Sequence, residues 1–249
     1  MSGVGGLPPI PLYEQYSKNE SKYVQANVKS NPTLQQTIAY FKKEAPKITS
    51  PEALLKNYRV LQVVLGAFNM SSMINEQGIL KKLLTQDPNA KNSLVRQLAN
   101  VTYLNFAKVM SNWNPPPFSN PQTMDTIIQN YETNQFEANA DQQSPGLQAA
   151  LYFTRTIGSI TTIPELMADQ TLLSVVQIAL GLPQEFGLLS YNQQVSILSK
   201  QVDLKKFQNP SYVKQFVERA LILNQESGGA DLSPQNSGSS GNPILSLFT

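Results

Sequence analysis

The sequence predicts an all-α protein of two similar small helical bundles that arose by internal duplication and are joined by a Pro-rich linker. Three observations favour this fold class: apolar residues recur at helical spacing, a stretch of sequence repeats after 112 residues, and three consecutive prolines divide the chain. The chain has 249 residues, which is enough for two domains. Leu, Ile, Val and Phe make up about 27% of it, so a sizeable core is expected.

Residues 1–12 are predicted to form a flexible N-terminus. Six of the first eleven residues are Gly or Pro, and this composition disfavours a helix. The stretch lacks the basic start and apolar run of a secretory signal, so Sec-type export is not expected.

Residues 13–112 and 122–225 are the two predicted repeats. The 112-residue offset aligns Tyr40-Phe41 with Tyr152-Phe153 and gives nine identities in 31 ungapped positions. Both repeats carry apolar stripes at the i, i+3, i+4, i+7 spacing of a helix that buries one face. The stripes are Leu61, Val64, Leu65 and Phe68; Tyr103, Phe106, Ala107 and Met110; Met124, Ile127, Ile128 and Tyr131; and Val213, Phe216, Val217 and Ala220. We expect each repeat to be a bundle of four or five helices.

Each repeat is also expected to begin a helix at the same relative place. Thr49-x-x-Glu52 and Thr162-x-x-Glu165 have the form of a capping box, in which a hydroxyl and a carboxylate accept from free amides. A proline follows in the first turn of each, where its missing N–H is tolerated.

The predicted linker is residues 113–121, around the consecutive Pro115, Pro116 and Pro117. Such a run forms a stiff polyproline segment, so helices must end on either side of it. Trp113 is a candidate partner-binding residue, although a Trp in this position also suits a role in holding the linker against the core. The proline run is similar to an SH3-type ligand, but a spacer is the favoured interpretation.

Residues 226–249 are predicted to be a flexible tail rich in Ser, Gly and Asn that ends in an apolar segment. The candidate partner-binding residues in that segment are Ile244, Leu245, Leu247 and Phe248. The alternative is a disordered tail, or one that folds back on its own domain.

The composition bears on chemistry chiefly through two missing residue types, His and Cys. Their absence excludes Ser-His-Asp and Cys-His sites, a thiolate nucleophile, a structural zinc site and a disulfide. We therefore expect no enzyme activity, catalytic residue, metal or cofactor. The one nucleophile-like spacing, Ser211-x-x-Lys214, lacks the accompanying motifs of serine–lysine enzymes. A net charge of +2 argues against a nucleic-acid partner, and no apolar run is long enough for membrane insertion.

The repeated segments resemble a bacterial domain-of-unknown-function family, number 1217. The resemblance is carried by Tyr40-Phe41, Ile48-Thr49-Ser50, Leu54-Leu55, Tyr58-Arg59, Leu61, Ala67-Phe68, Ile79-Leu80, Leu83-Leu84, Leu98, Tyr103 and Phe106-Ala107. Members of that family occur mainly in alphaproteobacteria, often beside flagellar genes, with no established activity. The resemblance implies a flagellum-associated role and supplies no catalytic residue.

The expected function is therefore a non-enzymatic protein that binds another protein, a flagellar component, during flagellar assembly or within the flagellar structure. Export without a cleaved signal is compatible with the lack of Cys. The alternative is a cytoplasmic chaperone or regulator of an exported flagellar component. The sequence does not indicate an oligomeric state.

Overall fold

The computed structural model describes residues 8–98, 100–227 and 232, and within these residues the chain is all-helical with no strand. This confirms the predicted all-α class. The α-helices of the described residues are α1 Pro9–Lys18, α2 Glu20–Ser30, α3 Pro32–Glu44, α4 Pro51–Lys56, α5 Tyr58–Ala67, α6 Gln77–Thr85, α7 Leu94–Leu98, α8 Val101–Met110, α9 Pro121–Gln143, α10 Leu147–Thr156, α11 Ile163–Ala168, α12 Gln170–Leu180, α13 Tyr191–Gln201 and α14 Pro210–Glu226. Short 3₁₀ turns cover Ala45–Lys47, Ser71–Asn75, Pro117–Ser119, Ile157–Ser159, Gln184–Leu188 and Leu204–Gln208.

The helices pack into two compact units. One unit is Glu20–Phe136, which we call the continuous unit. The other contains described residues 8–19, 137–227 and 232, and we call it the split unit because two separate chain segments build it. The chain therefore passes from one unit to the other twice, after residue 19 and after residue 136.

The core of the continuous unit is built from the apolar stripes of its helices. Helix α3 packs on α5, α4 on α6, and α6 on α8. Phe41, Leu54 and Leu65 are fully buried at these contacts. The rings of Phe68 and Phe106 meet edge to face with their centres 5.4 Å apart, an arrangement that aromatic pairs prefer.

The split unit has a core of the same kind, made by α10, α12 and α14, which contact one another in all three pairs. Phe153 on α10 is fully buried, and its ring centre lies 5.5 Å from that of Phe207 and 5.7 Å from that of Phe216. Val175 and Val217 are fully buried on the facing helices. Burial of these apolar side chains is the main favourable term that holds the helices together.

The N-terminal segment departs from the sequence prediction, because α1 begins at Pro9 although residues 1–12 were expected to be non-helical. Pro9 occupies the first helical position and Pro11 lies in the same first turn. Neither position needs the N–H that proline lacks, so the two prolines start the helix and do not prevent it.

The two predicted helix starts have different outcomes. The Thr162 capping box is confirmed: Glu165 N–H donates to Thr162 Oγ1, and the Glu165 carboxylate accepts from Thr162 N–H. The Thr49 box is wrong, because the residue that caps α4 is Ser50, whose Oγ accepts from Ala53 N–H at 3.2 Å. Helix α4 has its proline directly after Ser50, so the cap is one residue later than the sequence pattern indicated.

The Pro-rich segment lies inside the continuous unit, whereas the sequence predicts a linker there with domain boundaries on either side. As predicted, no α-helix runs through the segment: α8 ends at Met110 and α9 begins at Pro121. Pro117 and Phe118 are buried, and the Phe118 ring meets that of Phe41 edge to face at 5.8 Å. Apolar packing thus fixes this segment to a core, which a free spacer would not allow.

The predicted tail is described at residues 226, 227 and 232 only. Helix α14 extends through Glu226. Leu232 is 4% exposed, and its N–H donates to the side-chain oxygen of the buried Asn224 at 3.0 Å. At Leu232 the chain is packed on the split unit, while residues 228–231 and 233–249 of the predicted tail lie outside the described residues.

Candidate functional site

The predicted partner-binding residues fall into two groups. Ile244, Leu245, Leu247 and Phe248 lie outside the described residues. Trp113 is half-buried in the continuous unit, where its indole Nε1–H donates to the carbonyl of Leu84 at 3.0 Å and its ring packs edge to face on Phe118. These contacts match the alternative in which Trp113 holds its segment against the core.

The most exposed apolar side chains of the split unit are Leu188 and Tyr191, with 87% and 57% of their surface exposed. We call them the exposed pair. Leu188 ends the 3₁₀ turn Gln184–Leu188, and Tyr191 is the first residue of α13. Phe186 of the same turn is buried and anchors it. Sequence reasoning missed the pair because it searched for periodic stripes, and both residues lie outside every stripe.

The continuous unit contains a polar cavity of about 350 Å³ between α2 and α9. It is lined by Glu20, Ser21, Val24, Gln25, Gln129, Glu132 and Thr133. Burial raises the pKa of Glu132 above its usual value, and Lys42 opposes this effect. Carboxylates and amides line the cavity, which suits a small cationic or hydrogen-bonding group.

A buried polar network joins three elements of the split unit. Arg155 Nε donates to the fully buried carboxylate of Glu137 at 2.6 Å, and the guanidinium lies 4.9 Å from the centre of the Tyr152 ring. Tyr152 in turn donates its hydroxyl to Asp169 at 2.6 Å, and Asp169 accepts from Leu172 N–H at the start of α12. Burial raises the pKa of Tyr152 far above its usual value, so the phenol stays protonated as a donor. The network's polar groups hold helices in place.

Ser211 and Lys214, the pair with nucleophile-like spacing, take part in a helix cap and in ion pairs. Asn209 caps α14 by accepting from Ser211 N–H at 2.9 Å. The Lys214 ammonium pairs with Glu14 and Glu218. Hydrogen bonds to these carboxylates raise the pKa of Lys214, whereas a serine–lysine mechanism uses a lysine whose pKa is lowered.

In the part of the chain that the structure describes, no group of three or more Asp and Glu side chains is placed to hold a metal ion. None of the helices described is both long and apolar enough to cross a bilayer.

The fold is similar to a solved structure, the crystal structure of Protein AGR_C_984 from Agrobacterium tumefaciens. The two chains superpose with a TM-score of 0.77 over 91% of this chain and 98% of that chain, at 20% sequence identity. At this identity the likeness shows a shared fold alone. No curated protein matches the chain.

A family model matches residues 67–213, which is more than half of the chain. Its description is "Protein of unknown function (DUF1217)". The match runs from Ala67, the last residue of α5, through α6 to α13 and into the first turn of α14, and it includes most of the split unit. It confirms the resemblance found in the sequence: the chain belongs to the DUF1217 family of proteins of unknown function.

Proposed function

We propose that this protein is a non-enzymatic, flagellum-associated protein that binds another protein during flagellar assembly or within the flagellar structure. The proposal rests on membership of the DUF1217 family, because the resemblance noted in the sequence implies a flagellum-associated role. The absence of His and Cys from the sequence agrees with a binding role, because the common nucleophilic sites need one of them.

The exposed pair is the surface we assign to the partner. Leu188 ends the turn that Phe186 anchors to the core, and Tyr191 follows three residues later as the first residue of α13. A Leu and a Tyr presented together suit a small apolar contact, and Tyr is enriched in protein interfaces. The segment with Ile244, Leu245, Leu247 and Phe248 is a second candidate contact.

We also propose that the chain arose by duplication of one helical module. Helix α4 begins at Pro51 and α11 at Ile163, which is 112 residues later, and the 3₁₀ turns before them, Ala45–Lys47 and Ile157–Ser159, keep the same offset. Asn57 and Asp169, also 112 apart, both cap the following helix with a side-chain oxygen. Agreement of helix starts and cap positions supports descent from one module.

Fractionation of motile cells tests the proposed role. We expect the protein in the flagellar or secreted fraction of wild-type cells, and its retention in the cytosol of a mutant that lacks flagellar export. An unchanged cytosolic pool in both strains would exclude export. If the protein then co-purifies from cytosol with one unfolded flagellar client at equal stoichiometry, the chaperone alternative replaces the proposal.

A further inference from the structure

Helix α1 lies in a groove of the split unit and contacts α10 and α14. Tyr13 is 1% exposed, and its hydroxyl lies 2.8 Å from Thr154 Oγ1. Tyr16 is 8% exposed and donates its hydroxyl to Gln143 Oε1 at 2.8 Å. The helix thus fills its groove with two tyrosine side chains, and the hydroxyl of each forms a hydrogen bond.

The first part of α9 belongs to the continuous unit and packs on α5. Its residue Tyr131 packs against Gly66 of α5 so closely that a Cβ on Gly66 would lie 2.7 Å from the ring. Asn134 donates its side-chain amide to the carbonyls of Gly66 at 2.8 Å and Ala67 at 3.2 Å. Ile127 and Ile128 are buried in the same unit.

These two helices come from the opposite halves of the chain. Residues 20–114 supply most of the continuous unit, yet α1, which precedes them, belongs to the split unit. Residues 137–227 supply most of the split unit, yet the first part of α9, which precedes them, belongs to the continuous unit. Helices α1 and α9 begin 112 residues apart, at Pro9 and Pro121.

The two helices also present similar faces. The buried residues of α1 are Pro9, Tyr13 and Tyr16, at spacing i, i+4 and i+7. Met124, Ile128 and Tyr131 have the same spacing on α9, at an offset of 115 residues rather than the 112 that separates the helix starts, with Ile128 and Tyr131 buried and Met124 half-buried. Each groove therefore fits an amphipathic helix with apolar or aromatic side chains at these positions, a common mode of helix recognition.

We propose that α1 and the first part of α9 are reciprocally donated helices, and that the grooves that hold them are helix-binding sites able to join two separate chain halves without a covalent link. The occupant of each groove is the first helix of the other half. This inference concerns assembly of the chain and is independent of its flagellar role.

Cutting the folded chain once tests the proposal. A protease site is inserted between Asn114 and Pro115, which are both exposed. The purified full-length protein is cleaved and then analysed by size-exclusion chromatography and circular dichroism at micromolar concentration. We expect residues 1–114 and 115–249 to elute as one helical complex. Elution as two separate fragments would overturn the proposal.

A matched pair of variants shows whether the donated helix carries the association. Tyr13→Ala with Tyr16→Ala should raise the dissociation constant of the cleaved halves by at least about tenfold. Gln15→Ala, at an exposed position of the same helix, should leave it unchanged. Equal dissociation constants for both variants would mean that α1 does not hold the halves, and would contradict the proposal.

Folding of the uncut variants is checked first by circular dichroism. If the double alanine variant does not fold, Tyr16→Phe takes its place, because it removes the hydroxyl bond to Gln143 and keeps the ring. The dissociation constant should then rise by about three- to tenfold. An unchanged constant would overturn the proposal in the same way.

Discussion

Gly66 sets the distance between α5 and α9 in the continuous unit, since the Tyr131 ring occupies the space of a side chain. We expect Gly66→Ala to lower the free energy of unfolding by about 1–3 kcal/mol, because the added methyl overpacks a buried contact. Gly78 on α6 is the matched control, with no atom within 4 Å of an added Cβ. Gly78→Ala should be neutral or stabilise by up to about 1 kcal/mol. Urea unfolding of both variants measures the difference, and equal effects would contradict the packing argument.

Arg155 neutralises the fully buried carboxylate of Glu137 through two hydrogen bonds. Arg155→Ala removes the cation and leaves the negative charge buried, so we expect a loss of about 3–5 kcal/mol in unfolding free energy. The control variant is Arg219→Ala, which removes an arginine side chain from α14 of the same unit. Thermal unfolding compares the two alanine variants, and a loss below about 1 kcal/mol at Arg155 would refute the assigned role.

At the scale of elements, the apolar periodicity predicted α5, α8, α9 and α14, and the four stripes lie on these helices except for Phe68, which is the C-cap residue of α5. The exact helix starts were harder to predict, because Thr49 and Ser50 are adjacent hydroxyl residues and either one fits a cap. Pro9 and Pro11 were misread for a related reason: proline opposes a helix interior but favours a first turn.

The α4 cap gives a direct test of this correction. Ser50→Ala should destabilise the protein by about 1 kcal/mol, because Ala53 N–H loses its side-chain acceptor. Thr49→Ala should cost less than about 0.5 kcal/mol, since Thr49 lies outside the cap. Denaturant unfolding measures both. The reverse order of effects would restore Thr49 as the capping residue.

Glu165, in the first turn of α11, makes the free energy of unfolding depend on pH in the acidic range. Hydrogen bonds from the Thr161 backbone and hydroxyl, and from Thr162, lower the pKa of Glu165. Its folded pKa lies below the unfolded value of about 4.3, so the stabilisation is present above that pH and is lost as pH falls through the folded pKa. In the wild-type protein the free energy of unfolding falls between pH 7 and pH 3. Glu165→Gln should reduce this fall by less than about 1 kcal/mol, because the carboxylate is exposed. Unfolding at pH 7 and pH 3 compares the two proteins, and an identical pH dependence would contradict this prediction.

At the scale of the whole molecule, the sequence predicted an all-α chain but not how the chain is shared between the units. The buried face of α1 contacts Thr154 and Gln143, which lie more than a hundred residues away in the chain. Such long-range pairing leaves no local signal. The polar cavity was missed for the same reason, since it depends on which elements meet.

Affinity capture from cells tests the central claim, that this chain binds a flagellar protein, most directly. Tagged wild-type protein and a Leu188→Ser, Tyr191→Ser variant are recovered after cross-linking from motile cells and from isogenic cells without flagellar genes. We expect a flagellar component to be enriched with the wild-type protein from motile cells and at least about tenfold reduced with the variant. Recovery of the same proteins from both strains, with no flagellar component among them, would contradict the claim.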